Sequence, residues 1–104
     1  MGIEQIQDSL KIIIGRLKKK YNPERVILFG SYAKDIADEA SDVDILVVSE
    51  VFKNRDAYDV YSELYELVDD FDKDIQLFGV SENNISQYKT LSQAVREGKI
   101  IYSN

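Results

Sequence analysis

The sequence contains no cysteine and no histidine, and each absence removes a class of chemistry. Without cysteine there is no disulfide framework and no thiolate site, which fits a reducing compartment. Without histidine, histidine-based zinc sites and Ser-His-Asp catalysis are excluded. Any catalysis must run on carboxylates, hydroxyls, lysines, arginines or bound metal. Positive charge is also scarce. Thirteen Lys and Arg against nineteen Asp and Glu leave a net charge of −6, which argues against a broad nucleic-acid-binding face. The only basic cluster, Lys18-Lys19-Lys20, reads as the cationic end of a helix, favourable with its dipole; a phosphate-steering patch is the other reading. No apolar run reaches the roughly 18 residues of a spanning helix, and nothing at the N-terminus resembles a signal peptide. Met1-Gly2 lacks the Ser or Thr that a myristoylation motif wants where this chain has Ile6. The expectation is a soluble cytoplasmic protein with no membrane contact and no direct nucleic-acid binding.

What is present is an ordinary globular composition, 44% hydrophobic and 31% charged over 104 residues. That bounds the chain to one domain, 1–104, with one modest core. Ile3, Ile6, Leu10, Ile13, Ile14 and Leu17 recur at three- and four-residue steps, predicting an amphipathic helix from about Ile3 to Lys20. It should stop near Tyr21-Asn22-Pro23, at the only proline. Arg25 to Phe29 is short and β-branched and reads as a strand. Gly30-Ser31 then turns into a short helix, roughly Ser31 to Ile36, before a polar loop from Ala37 to Ser41. Ser41 to Val48 is a second strand, its apolar second half suggesting burial on both faces.

Helical periodicity returns from about Asn54 to Phe71, with Val60, Leu64, Leu67, Val68 and Phe71 on one face. Lys73 to Phe78 reads as a third strand, with Asp74 and Gln76 opposite Ile75 and Leu77. Ser81 can cap a last helical region, one helix or two, that turns Ile85, Tyr88, Leu91 and Val95 toward the core. Gly98 marks its end, and Ile100 to Tyr102 is a candidate edge strand. The order α-β-α-β-α-β-α, with a terminal β, predicts an α+β fold, a small mixed sheet flanked by helices.

Chemistry concentrates between Val26 and Val48. Asp42 and Asp44 stand two residues apart, so in a strand they share a face with Cα atoms about 6.5–7 Å apart. Carboxylates so placed can converge on magnesium, which takes oxygen ligands completed by water and substrate phosphates. Two such charges beside a hydrophobic strand repel and are costly to desolvate, and a divalent cation removes both problems. Asp74 has the character of a third ligand, although Asp69, Asp70 and Asp72 nearby allow a solvated acidic loop instead. A polar strand entrance is likewise the bland reading of Asp42-Val43-Asp44. Gly30 permits close backbone approach to a ligand, and the following helix start offers amides to an anion. Ser31 could add a hydroxyl, or simply cap the helix. A Walker A loop is absent.

Together these residues carry a resemblance. Gly30-Ser31-Tyr32-Ala33, a spacer, Ser41-Asp42-Val43-Asp44-Ile45-Leu46-Val47 and a later strand-borne aspartate resemble the signature of the nucleotidyltransferase superfamily that includes DNA polymerase beta. The short length resembles its minimal nucleotidyltransferases. One departure is Asp35, where many members have glycine. The resemblance implies a polymerase beta palm-like fold and an enzyme. Asp42, Asp44 and Asp74 would be both catalytic and metal-binding, with two Mg²⁺ ions, and Gly30 and Ser31 would hold the phosphates of ATP. It further implies a HEPN-domain protein as partner, with this chain as antitoxin moving AMP to a tyrosine of the HEPN toxin. Two alternatives stay open: an antitoxin that neutralises its partner by contact alone, and a nucleotidyltransferase acting on a small molecule. Tyr58, Tyr61 and Tyr65 form a stripe beside an apolar helix face, which suits contact with a partner or a second copy, or a border to the core.

Overall fold

A computed structural model describes residues 2–104. Ile3–Gln5 wind as a 3₁₀ turn, and helix α1 follows over Gln7–Tyr21. The expected first helix is thus interrupted at Ile6, whose amide donates back only three residues, to the Ile3 carbonyl. Leu10, Ile13, Leu17 and Tyr21 form the buried stripe of α1. The helix ends where Asn22 adopts a left-handed conformation, φ 45°, and Pro23 follows.

Strands β1 (Arg25–Phe29), β2 (Val43–Val48), β3 (Ile75–Val80) and β4 (Lys99–Ser103) form one mixed sheet in the order β3-β2-β1-β4. β1 is antiparallel to both neighbours, while β2 and β3 run parallel. A parallel pair needs a crossover, and helix α2 (Ala57–Tyr65) supplies it, capped by the Asp56 carboxylate accepting from the Asp59 amide. This helix stops six residues short of the expected Phe71. The next amides, of Leu67, Val68 and Phe71, bond three residues back rather than four. Arg16 on α1 donates to the Leu67 carbonyl (2.7 Å) and pairs with Asp70, taking the acceptor that the Phe71 amide would use in a continued α-helix. The third strand begins later than expected, which leaves Asp74 just outside it, and the second strand likewise begins after Asp42. The last helical region is two elements, a 3₁₀ segment at Glu82–Gln87 and helix α3 at Lys89–Glu97.

Strand alternation divides the core in two. Val26, Leu28, Ile45, Val47 and Leu77 pack against α1 and α2 on one face. Ile27, Leu46, Val48 and Val80 pack against Ile85, Leu91 and Ala94 on the other. Gly79 lets α2 lie close on β3, since a Cβ there would come within 2.6 Å of Val60 Cγ1 and 2.8 Å of Phe52 Cε2. The second face is covered by α3 over only part of its length. Asp42, Asp44 and Gln76 share that face at the other end of the strands. No helix among the described residues is long and apolar enough to cross a membrane.

Candidate functional site

The turn after β1 is built differently from the short helix expected over Ser31 to Ile36. Gly30 leaves the strand with φ +75°. One helical bond follows, from the Lys34 amide to the Gly30 carbonyl. The turn is then closed by two bonds, Asp35 amide to Tyr32 carbonyl and Ile36 amide to Ser31 carbonyl. That pair of bonds with a left-handed residue between them is a Schellman closure, and Asp35 occupies the left-handed position with φ 59°. A single turn therefore replaces the helix. The geometry also explains why glycine suits position 35: only glycine takes that conformation without a steric penalty, and aspartate is among the few residues that tolerate it. Asp35→Ala should cost about 1 kcal/mol of stability while Asp35→Gly should not destabilise, as thermal denaturation of the two variants would show.

Gly30 and the acidic pair form one unit. Phe29 lies opposite Asp44 in the antiparallel register, and a Cβ on Gly30 would collide with Asp44 Oδ2. The missing side chain is what admits the carboxylate against the turn. Asp44 is half-buried, and its carboxyl is pushed above the usual carboxylate range, first by burial and second by the charge of Asp42. A half-buried carboxylate raised by a second one is a donor set that suits a divalent cation. The amides of Ser31 and Ala33, in partly exposed residues, donate to no backbone carbonyl among the described residues, so they are available to an anion beside that pair.

Asp74 is exposed at the entrance of β3, its carbonyl accepting from the Val43 amide at 2.9 Å. Because Val43 pairs with Ile75 in register, Asp74 faces Asp42 across the mouth of the parallel pair. Among the described residues no group of three acidic side chains is gathered closely enough to hold an ion. The position directly beside Asp44 on β3 belongs to Gln76, whose Nε2 donates to Asp42 Oδ2 at 2.9 Å. An ionised carboxylate only accepts, so the amide nitrogen must face it.

Further residues complete this end of the molecule. Ser41 is a loop tie, donating to Asp38 Oδ1 and accepting from the Asp38 amide. Lys73 secures that loop by donating to the Glu39 carbonyl at 2.9 Å, and its ammonium lies 5.5 Å from the centre of the buried Tyr32 ring. A cavity of about 190 Å³ opens between the Gly30 turn and α3, lined by Gly30, Lys34, Thr90, Gln93 and Glu97 among others. A wider one of about 490 Å³ adjoins it across Phe29, between Phe78, Tyr88 and Lys89. Phe78 also meets Phe29 and Tyr61 in tilted ring contacts. Lys34 could have been suspected from its place three residues after Ser31. Thr90, Gln93 and Lys89 could not, because only the packing of α3 beside β1 brings them there.

The same chain segments are found in known proteins. The profile of the family described as "Polymerase beta, Nucleotidyltransferase" matches residues 11–104. A Methanocaldococcus jannaschii protein provisionally named a protein adenylyltransferase is 39% identical over 67 residues, covering 64% of this chain and 62% of its own length. A second protein of that organism with the same provisional name is 37% identical over 71 residues, covering 68% and 67%. A third is 52% identical over 46 residues, 44% of each chain. The matched region thus spans between about two fifths and two thirds of these relatives. Among solved structures, a protein of Sulfolobus solfataricus provisionally named a nucleotidyltransferase superposes over all of this chain and 91% of its own, with TM-score 0.67 at 17% identity. A structure described as a toxin-antitoxin with AMP-PNP superposes over 88% of this chain and 72% of its own, with TM-score 0.52 at 22% identity.

Proposed function

Because this chain belongs to the polymerase beta nucleotidyltransferase family, we propose that it transfers a nucleoside monophosphate, AMP from ATP, to a hydroxyl of a protein partner. The observation that carries this reading is the seating of Asp44 against the side-chain-free Gly30 turn, with Asp42 beside it. Asp42 and Asp44 would hold a divalent cation, magnesium, which takes one or two protein carboxylates together with substrate phosphates and water. When bound, such an ion offsets the charge that develops on the phosphoryl oxygens. The Ser31 amide and hydroxyl and the Lys34 ammonium at the adjoining cavity are assigned to the remaining phosphates. The acceptor oxygen forms a bond to the α-phosphorus as the α-phosphorus–bridging-oxygen bond breaks, and pyrophosphate leaves with that electron pair. Asp74, exposed opposite Asp42 at the mouth, is assigned to take the proton of the hydroxyl.

The acceptor is a tyrosine of a HEPN toxin, with this chain as its antitoxin. The fold likeness to a toxin-antitoxin structure and the protein adenylyltransferase names of the relatives support it. Tyr58 and Tyr65 are exposed on α2, while Tyr61 is partly buried against Phe78. The two exposed rings form a surface suited to a protein partner.

A second reading, an antitoxin acting by contact alone, is favoured by one observation: Gln76 rather than a third carboxylate lies beside Asp44. Co-expression with the neighbouring gene's product, followed by the partner's intact mass, decides between them. Increments of one or more AMP units with wild type, absent with an Asp42→Asn, Asp44→Asn double variant, are expected. An unmodified partner bound tightly by both versions would replace the transferase with the contact antitoxin.

A further inference from the structure

We infer that the cavity between Phe29, Phe78 and Tyr88 is the subsite for the base of the donor nucleotide, which packs on those rings. This subsite rests on the nucleotide-binding role proposed for Asp42 and Asp44 and deepens it. Strand register places its floor. Phe29 pairs with Asp44, and Phe78 pairs with Leu46, the next residue on the same face of β2. The two rings therefore meet diagonally across β2, with centroids 5.8 Å apart, just past Asp44 on the side away from the mouth. Phe29, Phe78 and Tyr88 are only partly buried against the second core, so each leaves ring surface open. They border the cavity of about 490 Å³, which Leu91 also lines. A largely apolar recess of that size with a few polar groups at its rim suits a small planar ligand.

The rest of the face decides which reactant the cavity serves. The Gly30 turn and Lys34, assigned to the phosphates, line the smaller cavity on the β1 side, and Phe29 and Thr90 line both cavities. Asp74, assigned to the acceptor hydroxyl, stands with Asp42 at the mouth. In-line displacement sets the acceptor oxygen and the departing pyrophosphate on opposite sides of the α-phosphorus. With those two directions taken, the nucleoside has the third, along the strands past Asp44 to the aromatic floor. Aromatic side chains suit it because every base presents a π-face, and loss of one such contact weakens binding roughly 5- to 150-fold. Among the described residues, the side chains of Gln87, Tyr88, Lys89 and Thr90 at the rim make no hydrogen bond or ion pair within the chain. Each is free to meet the edge of a base.

Titration calorimetry with Mg²⁺ and two probes tests this: α,β-methylene ATP, which carries the base and has no cleavable α–β bridge, and inorganic tripolyphosphate, which has no base. Phe78→Leu and Tyr88→Leu keep apolar bulk and remove a ring. Each should weaken the ATP analogue roughly 5- to 20-fold and leave tripolyphosphate binding unchanged. The Asp42→Asn, Asp44→Asn double variant should weaken both probes. Unchanged affinity for the analogue in both ring variants would overturn the subsite while leaving the site's role intact. So would an equal loss for both probes. A raised KM for the protein acceptor with the KM for ATP unaltered would likewise overturn it, and would give the cavity to the acceptor. Binding of both probes unaltered by the double variant would instead remove the role itself, and the subsite with it. Should the ring variants not fold, wild type suffices. Nuclear Overhauser contacts from the H2 and H8 protons of the base to the Phe78 and Tyr88 rings are expected, and contacts to neither ring would refute the assignment.

Discussion

Replacing Asp44 with asparagine is expected to lower nucleotidyl transfer on the order of 10³-fold while raising the melting temperature of the ligand-free protein. The first effect follows from what the carboxylate holds. Charge stabilisation by a bound cation is worth several kcal/mol, and about 4 kcal/mol corresponds to roughly three powers of ten in rate. The second follows from the carboxyl's position. Burial, and then the charge of Asp42, push the Asp44 pKa above its ordinary 3.8. Folding therefore takes up a proton at pH values between 3.8 and the raised value. Stability falls as pH rises through that window, and the loss persists at neutral pH where the carboxylate is ionised in both states. Asparagine carries no such penalty. The variant should melt roughly 2–8 °C higher at pH 7, and the difference should shrink as pH falls to 3.8 and below. Calorimetry across pH, beside a transfer assay, measures both. A variant that loses activity and also melts lower at pH 7 would mean that Asp44 is a structural residue.

Leu64→Ala should cost the fold more stability than any substitution at the acidic site. Leu64 is fully buried, and its Cδ1 lies against the open face of Gly79 on β3. Truncation removes one of the two contacts, with that of Val60, through which α2 lies on Gly79 of the strand, and leaves a gap in the core. Buried Leu→Ala substitutions cost about 2–5 kcal/mol, against a total of about 5–15 kcal/mol for a domain of this size. A fall in melting temperature of roughly 15–25 °C is expected. The site should suffer too, because β3 carries Gln76 and sets the mouth opposite Asp42. A fall of only a few degrees would show that α2 contributes little to the packing of β3.

Much of this protein was legible in its sequence. The α1 stripe, the strands around Val26 to Phe29 and Val43 to Val48, and the α+β order follow from periodicity. Burying an apolar face allows few arrangements of such segments. The joint pattern of Gly30-Ser31 and Asp42-Val43-Asp44 marked where chemistry concentrates, because a side-chain-free turn and a like-charge pair are both costly without a ligand.

Tertiary structure decided the rest. Winding of the chain after Gly30 was open, since a single turn and a short helix share the same residues; the left-handed Asp35 settled it. The winding after α2 includes a bond that local periodicity does not show, from Arg16, a residue 51 positions away, to the Leu67 carbonyl. Above all, the sequence placed Asp74 and Gln76 on the same face of a strand but could not say which of them stands beside Asp44. That choice belongs to strand register, which depends on how two segments more than 25 residues apart slide against each other as their apolar faces pack. Register put Gln76 beside the acidic pair and Asp74 at the solvent-exposed mouth.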